Sequence, residues 1–476
     1  MSSRDKSHGA VPATGRQWRS RVTGATRIVA GGALVLAAFA VHAAPASAES
    51  PASPGAQSST LAALGVKGQA ILNGFGYFRE TPTDDELLVA EGILQLEWSR
   101  RLAEWADMKV VLEAREDTDS LVGGIGFEVP DRRRQRSVLE LREGTVTARR
   151  GPVDVILGKQ IVTWGTADAY NPTDNVNPYD FLDVIDNEKL AVFAAVARFT
   201  AGASSLTGVL VPVFTPSRLP LKGSRWIPTV PEGLTALVAD RELPAQTLEN
   251  MQYAARLKTT VGGWDLSGSY FEGFEHTPVF RLSAVQVAPG TVLPQFTPVF
   301  TRIRAVSMDV STTYRRLEIH GESVFKFVER NGREDRLQTI AGLNYTLDGL
   351  DLAWLERIFF VAEYGREVVL ASHPESRIVA RGDAPGIGDL LATNAFRNAV
   401  AGRVNFVFNE ETQLKLTGTA DLTRSFNYYA QVKLSRKLGD AVQIDAGFDV
   451  LHGAPKTFWG RWRDNDRFFF RLAYFF

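Results

Sequence analysis

The chain contains no cysteine, which excludes disulfide frameworks, thiolate metal sites, c-type haem attachment and cysteine nucleophiles together. It also lacks charge of one sign. The 53 Lys+Arg stand against 54 Asp+Glu, a balance that argues against a nucleic-acid partner. Methionine is scarce, at four, and histidine, at six. Long apolar runs are missing: no segment after residue 48 reaches the 18 or so uncharged apolar residues expected of a spanning helix. No Gly-x-Ser-x-Gly elbow, His-Glu-x-x-His pair or phosphate loop occurs. What is plentiful is Phe (28) and Gly (41), a profile that suits strands and turns.

Residues 1–48 read as a secretory signal peptide. Arg4, Lys6, Arg16, Arg19, Arg21 and Arg27 precede an apolar stretch from Ile28 to Val41, which ends in Ala46-Ser47-Ala48. A basic head, a short apolar core and small residues at the cleavage site are the export pattern, and the core is too short to span a bilayer. Residues 49–64, rich in Pro, Ser and Ala, read as an N-terminal tether, and 65–476 as one folded unit. Without the first segment, 47 bases and 53 acids remain.

From Leu88 onward the dominant period is two. Leu414, Leu416, Gly418, Ala420 and Leu422 alternate with Gln413, Lys415, Thr417, Thr419 and Asp421; Val442 to Val450 alternate in the same way. Each such segment has one apolar and one polar face. Eighteen segments of this kind fit between 65–79 and 465–476, with 16 the nearest alternative count. Their connections alternate between short (Arg150-Gly151, Val261-Gly262, Asn409-Glu410) and long (116–135, 164–189, 214–250, 275–299 and 368–394). A sandwich gives no reason for loop length to segregate by parity, whereas an antiparallel up-and-down transmembrane β-barrel does. The expected fold is therefore an all-β barrel of about 18 strands in a Gram-negative outer membrane. A plugged 22-stranded transporter needs a longer chain.

The last strand places Phe468, Phe470, Leu472, Tyr474 and Phe476 on one face. This resembles the C-terminal signature through which the barrel-assembly machinery recognises outer-membrane barrels, with Phe476 the terminal aromatic.

The segment Gly158-Lys159-Gln160-Ile-Val-Thr-Trp164-Gly165, followed by Asn171-Pro172 and Asn177-Pro178, stands where a strand runs into a long loop. It resembles a motif of a largely uncharacterised family of outer-membrane barrels related to alginate-export and phosphate-selective porin-type proteins. The resemblance implies a transport barrel and leans toward a monomer. From the residues alone, the 164–189 loop is long enough to fold inward as a constriction. Lys159, Gln160, Trp164, Asp168, Asn171, Asp174, Asn177 and Asp180 are its candidate residues. Asp168, Asp174, Asp180 and Asp183 could also act only as turn formers.

Parity turns eleven bases and twelve acids inward, among them Glu91, Glu97, Arg142, Glu318, His320, Glu322, Arg357, Arg403, Lys415, Lys433 and Arg471. This balance speaks against a polyanion such as alginate, which would call for a lumen rich in Lys and Arg. Lys159 and Glu143 fall out of phase with their strands, so they sit at a rim or a bulge shifts the register. His320 between Glu318 and Glu322 is a conceivable base, but it more naturally belongs to a polar wall network. The cluster Asp131-Arg132-Arg133-Arg134-Gln135-Arg136 could meet lipopolysaccharide phosphates at the outer rim, or be a solvated charge run.

The resulting expectation is a porin-like channel for passive or facilitated movement of small solutes. It would need no cofactor, its surroundings would be lipid and lipopolysaccharide, and it would not be an enzyme. The alternative is a plugged or laterally opening barrel that handles hydrophobic solutes or binds a partner.

Overall fold

The structure, a computed structural model, describes residues 65–476 except 126–130, 228–237, 330–333, 351, 353, 374–377, 380–396 and 424–425. The expected signal peptide and tether lie outside the described residues. Eighteen strands form the wall: β1 (Val66–Tyr77), β2 (Leu88–Ala103), β3 (Ala106–Asp117), β4 (Leu139–Arg150), β5 (Val153–Gln160), β6 (Val192–Ala201), β7 (Ser204–Val211), β8 (Gln252–Val261), β9 (Trp264–Phe274), β10 (Arg302–Tyr314), β11 (Leu317–Val328), β12 (Glu334–Asp348), β13 (Arg357–Ser372), β14 (Asn398–Val407), β15 (Thr412–Asp421), β16 (Asn427–Leu438), β17 (Val442–His452) and β18 (Arg467–Phe475).

Every strand pairs antiparallel with its sequence neighbours, and β18 pairs with β1 from Gln69↔Phe475 to Tyr77↔Arg467. Closure removes the unpaired edges that an open sheet would leave. Phe476 completes the seam: its N–H and C=O exchange hydrogen bonds of 3.0 and 2.8 Å with Gly68. A Cβ on Gly68 would come within 2.7 Å of the Phe476 ring, so the glycine makes room for the terminal aromatic.

The alternation read from the sequence sorts residues between the two surfaces. Leu257 and Met308 are 54% and 62% exposed on the outer face, while Asp309 and Glu322 are 6% and 2% exposed on the inner one. Connections after even-numbered strands are brief, such as 151–152, 202–203 and 262–263; those after odd-numbered strands include 118–138, 161–191, 212–251 and 275–301. Antiparallel order puts all the brief ones at one rim. The 275–301 connection, expected to be a plain loop, is a hairpin of Val279–Ala288 on Thr291–Val299, joined by Ile378–Val379. Alternating apolar residues on either side of Pro289-Gly290 were the available signal.

Two irregularities resolve the out-of-phase charges. Pairing of β3 with β4 slips between Val111 and Leu112, opposite Arg142, so that Arg142 and Glu143 both reach inward, Arg142 to Glu113 at 3.1 Å and Glu143 to Lys109 at 3.3 Å. Gly158 has φ +131°, and a Cβ there would lie 2.0 Å from the Gly144 carbonyl oxygen. This glycine lets Lys159 turn inward, where its ammonium donates to Glu140 at 3.1 Å and to the Leu141 carbonyl at 2.6 Å.

The expectation of a uniformly polar interior needs correction. Val192, Ala194, Val196, Val209, Val211, Ala254, Phe271, Ile303, Ala305 and Val324, from β6 to β11, form a buried apolar patch on the inner face. Val162, Trp164 and Val176 of the inserted loop complete this cluster. Part of the core therefore lies between the wall and the loop.

Candidate functional site

The loop 161–191 is held across the barrel interior by interactions at its base, its tip and its flanks. At the base, Asn177 joins the loop's two ends. Its Oδ1 accepts from Val162 N–H at 2.7 Å, and its Nδ2 donates to the carbonyls of Leu190 (2.8 Å) and Gln160 (3.3 Å). Asn171 folds back so that its Nδ2 donates to the Trp164 carbonyl at 2.6 Å. A Cβ on Gly165, at φ +98°, would meet the Asn171 side chain at 2.0 Å. The Trp-Gly and Asn-Pro elements of the motif are thus two halves of one fold-back. Trp164 is buried in the apolar patch, and the amide of Gln160 donates to the Ala194 carbonyl at 3.0 Å.

The tip reaches the opposite wall, where two carboxylates hold it. Glu322 on β11 accepts from the backbone N–H groups of Thr166 and Ala167, the latter at 2.7 Å, and from the Thr173 hydroxyl at 3.0 Å. Glu363 on β13 accepts from the N–H groups of Asp168 and Ala169 at 2.6 and 2.9 Å, and from His320 Nε2 at 2.8 Å. The Asp168 side chain pairs with Arg403 at 3.1 Å and accepts from Asn344 at 3.1 Å; Glu318 also meets that amide, at 3.3 Å.

Asp168, His320 and Glu363 form the one group among the described residues with metal-ligand proximity, their donor atoms lying within 4.8 Å of one another. Both carboxylates already accept the bonds just named, and His320 is buried. The trio therefore acts as a clamp on the loop. His320 faces Glu363 across two strands, and this pairing was not visible from its sequence neighbours Glu318 and Glu322.

The flanks are fixed by buried ion pairs. Asp180, fully buried, accepts from Arg136 at 3.0 Å and Arg218 at 2.9 Å. Burial alone would raise its pKa, but the two guanidinia outweigh it and hold the carboxyl well below the usual carboxylate range. Glu188 pairs with Arg115 at 2.9 Å and Arg142 at 2.7 Å, which, against burial, lower its pKa to about 2. Arg467 binds Asp183 (2.5 Å), Asp186 (2.7 Å) and Asp449 (2.8 Å), and Lys189 pairs with Asp174. The loop's acids do more than form turns, although Asp183 also accepts from the N–H groups of Ile185 and Asp186. Parity turned Arg467 inward, as the structure has it, but its hold on the loop, like the pin Arg218 altogether, escaped sequence reading, because nothing local ties either to the loop.

Among the other expected lumen charges, Glu91 pairs with Arg115 (3.2 Å) and Arg136 (3.3 Å), and Glu97 with Lys67 (3.0 Å). Arg357 begins its strand, exposed near the brief-turn rim. Within the arginine cluster the side chains have partners in the protein, although Arg134 is exposed. Arg132 donates to the carbonyls of Phe214 and Pro244, both at 3.2 Å; Arg133 donates to Ser137 Oγ at 3.0 Å and Arg134 to Asp240 at 3.0 Å. These donors tie one loop to another.

A second inserted segment brings Trp226, 1% exposed, against Tyr77, Phe458, Trp459 and Trp462 near the long-loop rim. Trp462 Nε1 donates to the Trp226 carbonyl at 2.8 Å. Two sizeable cavities lie among the described residues. The outer, of about 910 Å³, is lined by loop residues including Tyr170, Phe181, Ile185, Leu219 and Trp459. The inner, of about 560 Å³, is lined by wall residues including Arg403, Lys415, Lys433, Asp445 and Arg471. Asp168, Ala169, Ile185, Asn187, Thr419 and Tyr429 line both cavities. The inserted loop and β15–β16 therefore stand between the two spaces, with a wall shared by both.

No protein-family model matches the chain, and no curated protein matches it. Among solved structures, engineered variants of the Rhodopseudomonas blastica porin are similar. One shares 9% identity over 86% of this chain and 99% of the porin, with a TM-score of 0.38. Another shares 8% identity over the same portions, with a TM-score of 0.36. Likeness at that level adds nothing to the strand pairing, which defines the barrel by itself.

Proposed function

We propose that the chain is a porin-like outer-membrane barrel through which small solutes move passively or by facilitated diffusion. The observation that carries this reading is the pair of cavities that share Asp168, Ala169, Ile185, Asn187, Thr419 and Tyr429 as wall residues, which favours a narrowed lumen over a sealed one. An apolar outer face around a charged inner one suits lipid outside and water within. The loop 161–191 serves as the constriction, made rigid by carboxylate and arginine pins, and solutes pass between it and β15–β16. Uninterrupted pairing around the ring favours axial passage over lateral release into the bilayer. The reading assigns no chemistry to the chain and no enzymatic role. Proteoliposome swelling tests it: arabinose should enter quickly and trisaccharides far more slowly. Swelling no faster than in protein-free vesicles, with the barrel folded and inserted, would overturn it.

A further inference from the structure

The inner cavity has a basic floor that its own acids do not neutralise. Lys415 on β15 and Lys433 on β16 stand directly opposite each other in the strand register, and both line the inner cavity. Like charges placed directly across a strand pair repel and destabilise the sheet. Most bases near the loop have a carboxylate partner; among the described residues these two lysines form no ion pair, while Arg403 before them and Arg436 after them do. Arg471 on β18 lines the same cavity, opposite Asp445 in the register. One oxygen of Asp445 accepts from the Gln443 amide at 2.9 Å. Arg403 gives one arm to Asp168 at 3.1 Å, and its Nε–H is buried with no acceptor. Of the other acids lining the cavity, Glu91, Glu188, Asp183 and Asp186 are held by Arg115, Arg136, Arg142 and Arg467. Asp117, which accepts from the Leu121 N–H, and Asp119 stand at the long-loop end of β3, on the far side of the ring's seam from these lysines.

Lys415, Lys433 and Arg471 against Asp445 leave a net charge near +2 in a low-dielectric recess on the brief-turn side of the loop. The stretch is short and concave, and it faces the space a solute would cross. Rings of Lys and Arg in such pores select anions. The two ammoniums would give point-charge contacts and the Arg471 guanidinium a directional fork, a set that suits an oxyanion.

We infer that Lys415, Lys433, Arg403 and Arg471 form a binding site for a small solute bearing carboxylate or phosphate groups, just inside the constriction. This rests on the reading of the barrel as a solute pathway, and it narrows the solute class. The overall balance of lumen charge conceals the site, because the paired charges cluster around the loop and the uncompensated ones lie below it.

Titration calorimetry on the folded, detergent-solubilised protein at low salt tests the site without requiring conduction. Citrate and inorganic phosphate are the probes. The wild type should bind citrate at one site, and Lys415→Gln/Lys433→Gln should weaken binding at least tenfold. Lys415→Gln alone, with a smaller loss, serves should the double variant fail to fold. Reversal potentials across a potassium chloride gradient should favour chloride in the wild type and move toward potassium in the variant. Absence of citrate and phosphate binding by the wild type, or equal binding by both proteins, would overturn the site. A silent barrel that still binds citrate through these lysines would overturn the channel and leave the site standing.

Discussion

Asp180 fixes the flank of the loop to two other parts of the chain at once. It is fully buried, and two guanidinia converge on it. Replacing it with Ala would leave Arg136 and Arg218 buried around an uncompensated gap, a loss of about 3–5 kcal/mol. Limited proteolysis within 161–191 should then accelerate about a hundredfold or more, since each 1.4 kcal/mol is a factor of ten. Unchanged protection would mean that the pins do not hold the loop. The pH dependence follows from the direction of the shift. A depressed carboxylate pKa contributes stability that is present above the ordinary range and lost only as pH falls through the folded value. Asp180 lies below the usual range, and Glu188 is at about 2, so the protection given by these two contacts should persist at pH 4. Because burial raises the carboxyl of Asp174, another loop acid, to about 6, the comparison is with Asp180→Ala: disappearance at pH 4 of the difference in protection between wild type and this variant would contradict the assignment.

Among the elements, β5 and the loop it feeds are the most constrained. At Gly158 the φ of +131° and the 2.0 Å approach to the Gly144 carbonyl make Gly158→Ala both strained and obstructed, at a cost of several kcal/mol. The folded fraction, read as heat-modifiable mobility in electrophoresis, should fall sharply; normal folding would show that the bulge can relax. The loop tip offers a different test. Glu322 and Glu363 hold five backbone N–H groups between them, and the charged acceptors make these bonds strong. The double variant Glu322→Gln/Glu363→Gln should keep the wall intact, release the tip, and give larger, noisier single-channel steps than wild type. Steps of wild-type size would place the constriction elsewhere. The strands themselves were legible because a period of two records which face each residue takes. The tip's anchors were not, because Glu322 lies about 150 residues from the N–H groups it holds. The inner apolar patch did leave a trace. Residues 192–197 and 208–211 are apolar on both faces, and a strand with one wet face has no need of that.

At the scale of the whole molecule, the eighteen-strand ring closes without a helix beyond two short 3-10 turns among the described residues. Strand count and the parity of loop length could be read from the sequence, because turn chemistry and alternation are local. How far the loops fill the interior could not, because it depends on charges brought together from opposite walls, such as Arg467 with Asp183. The account stands or falls on a path between the inserted loop and β15–β16. The absence of native cysteine allows Thr419→Cys to carry a unique thiol on the wall that the two cavities share. Single-channel current through this variant, recorded before and after addition of a bulky cationic methanethiosulfonate, is the direct test. Conductance should drop by more than half and recover with reductant, while a cysteine on the outer face, in Met308→Cys, should have no effect. Unchanged current through a fully modified Thr419→Cys barrel would contradict the proposed path.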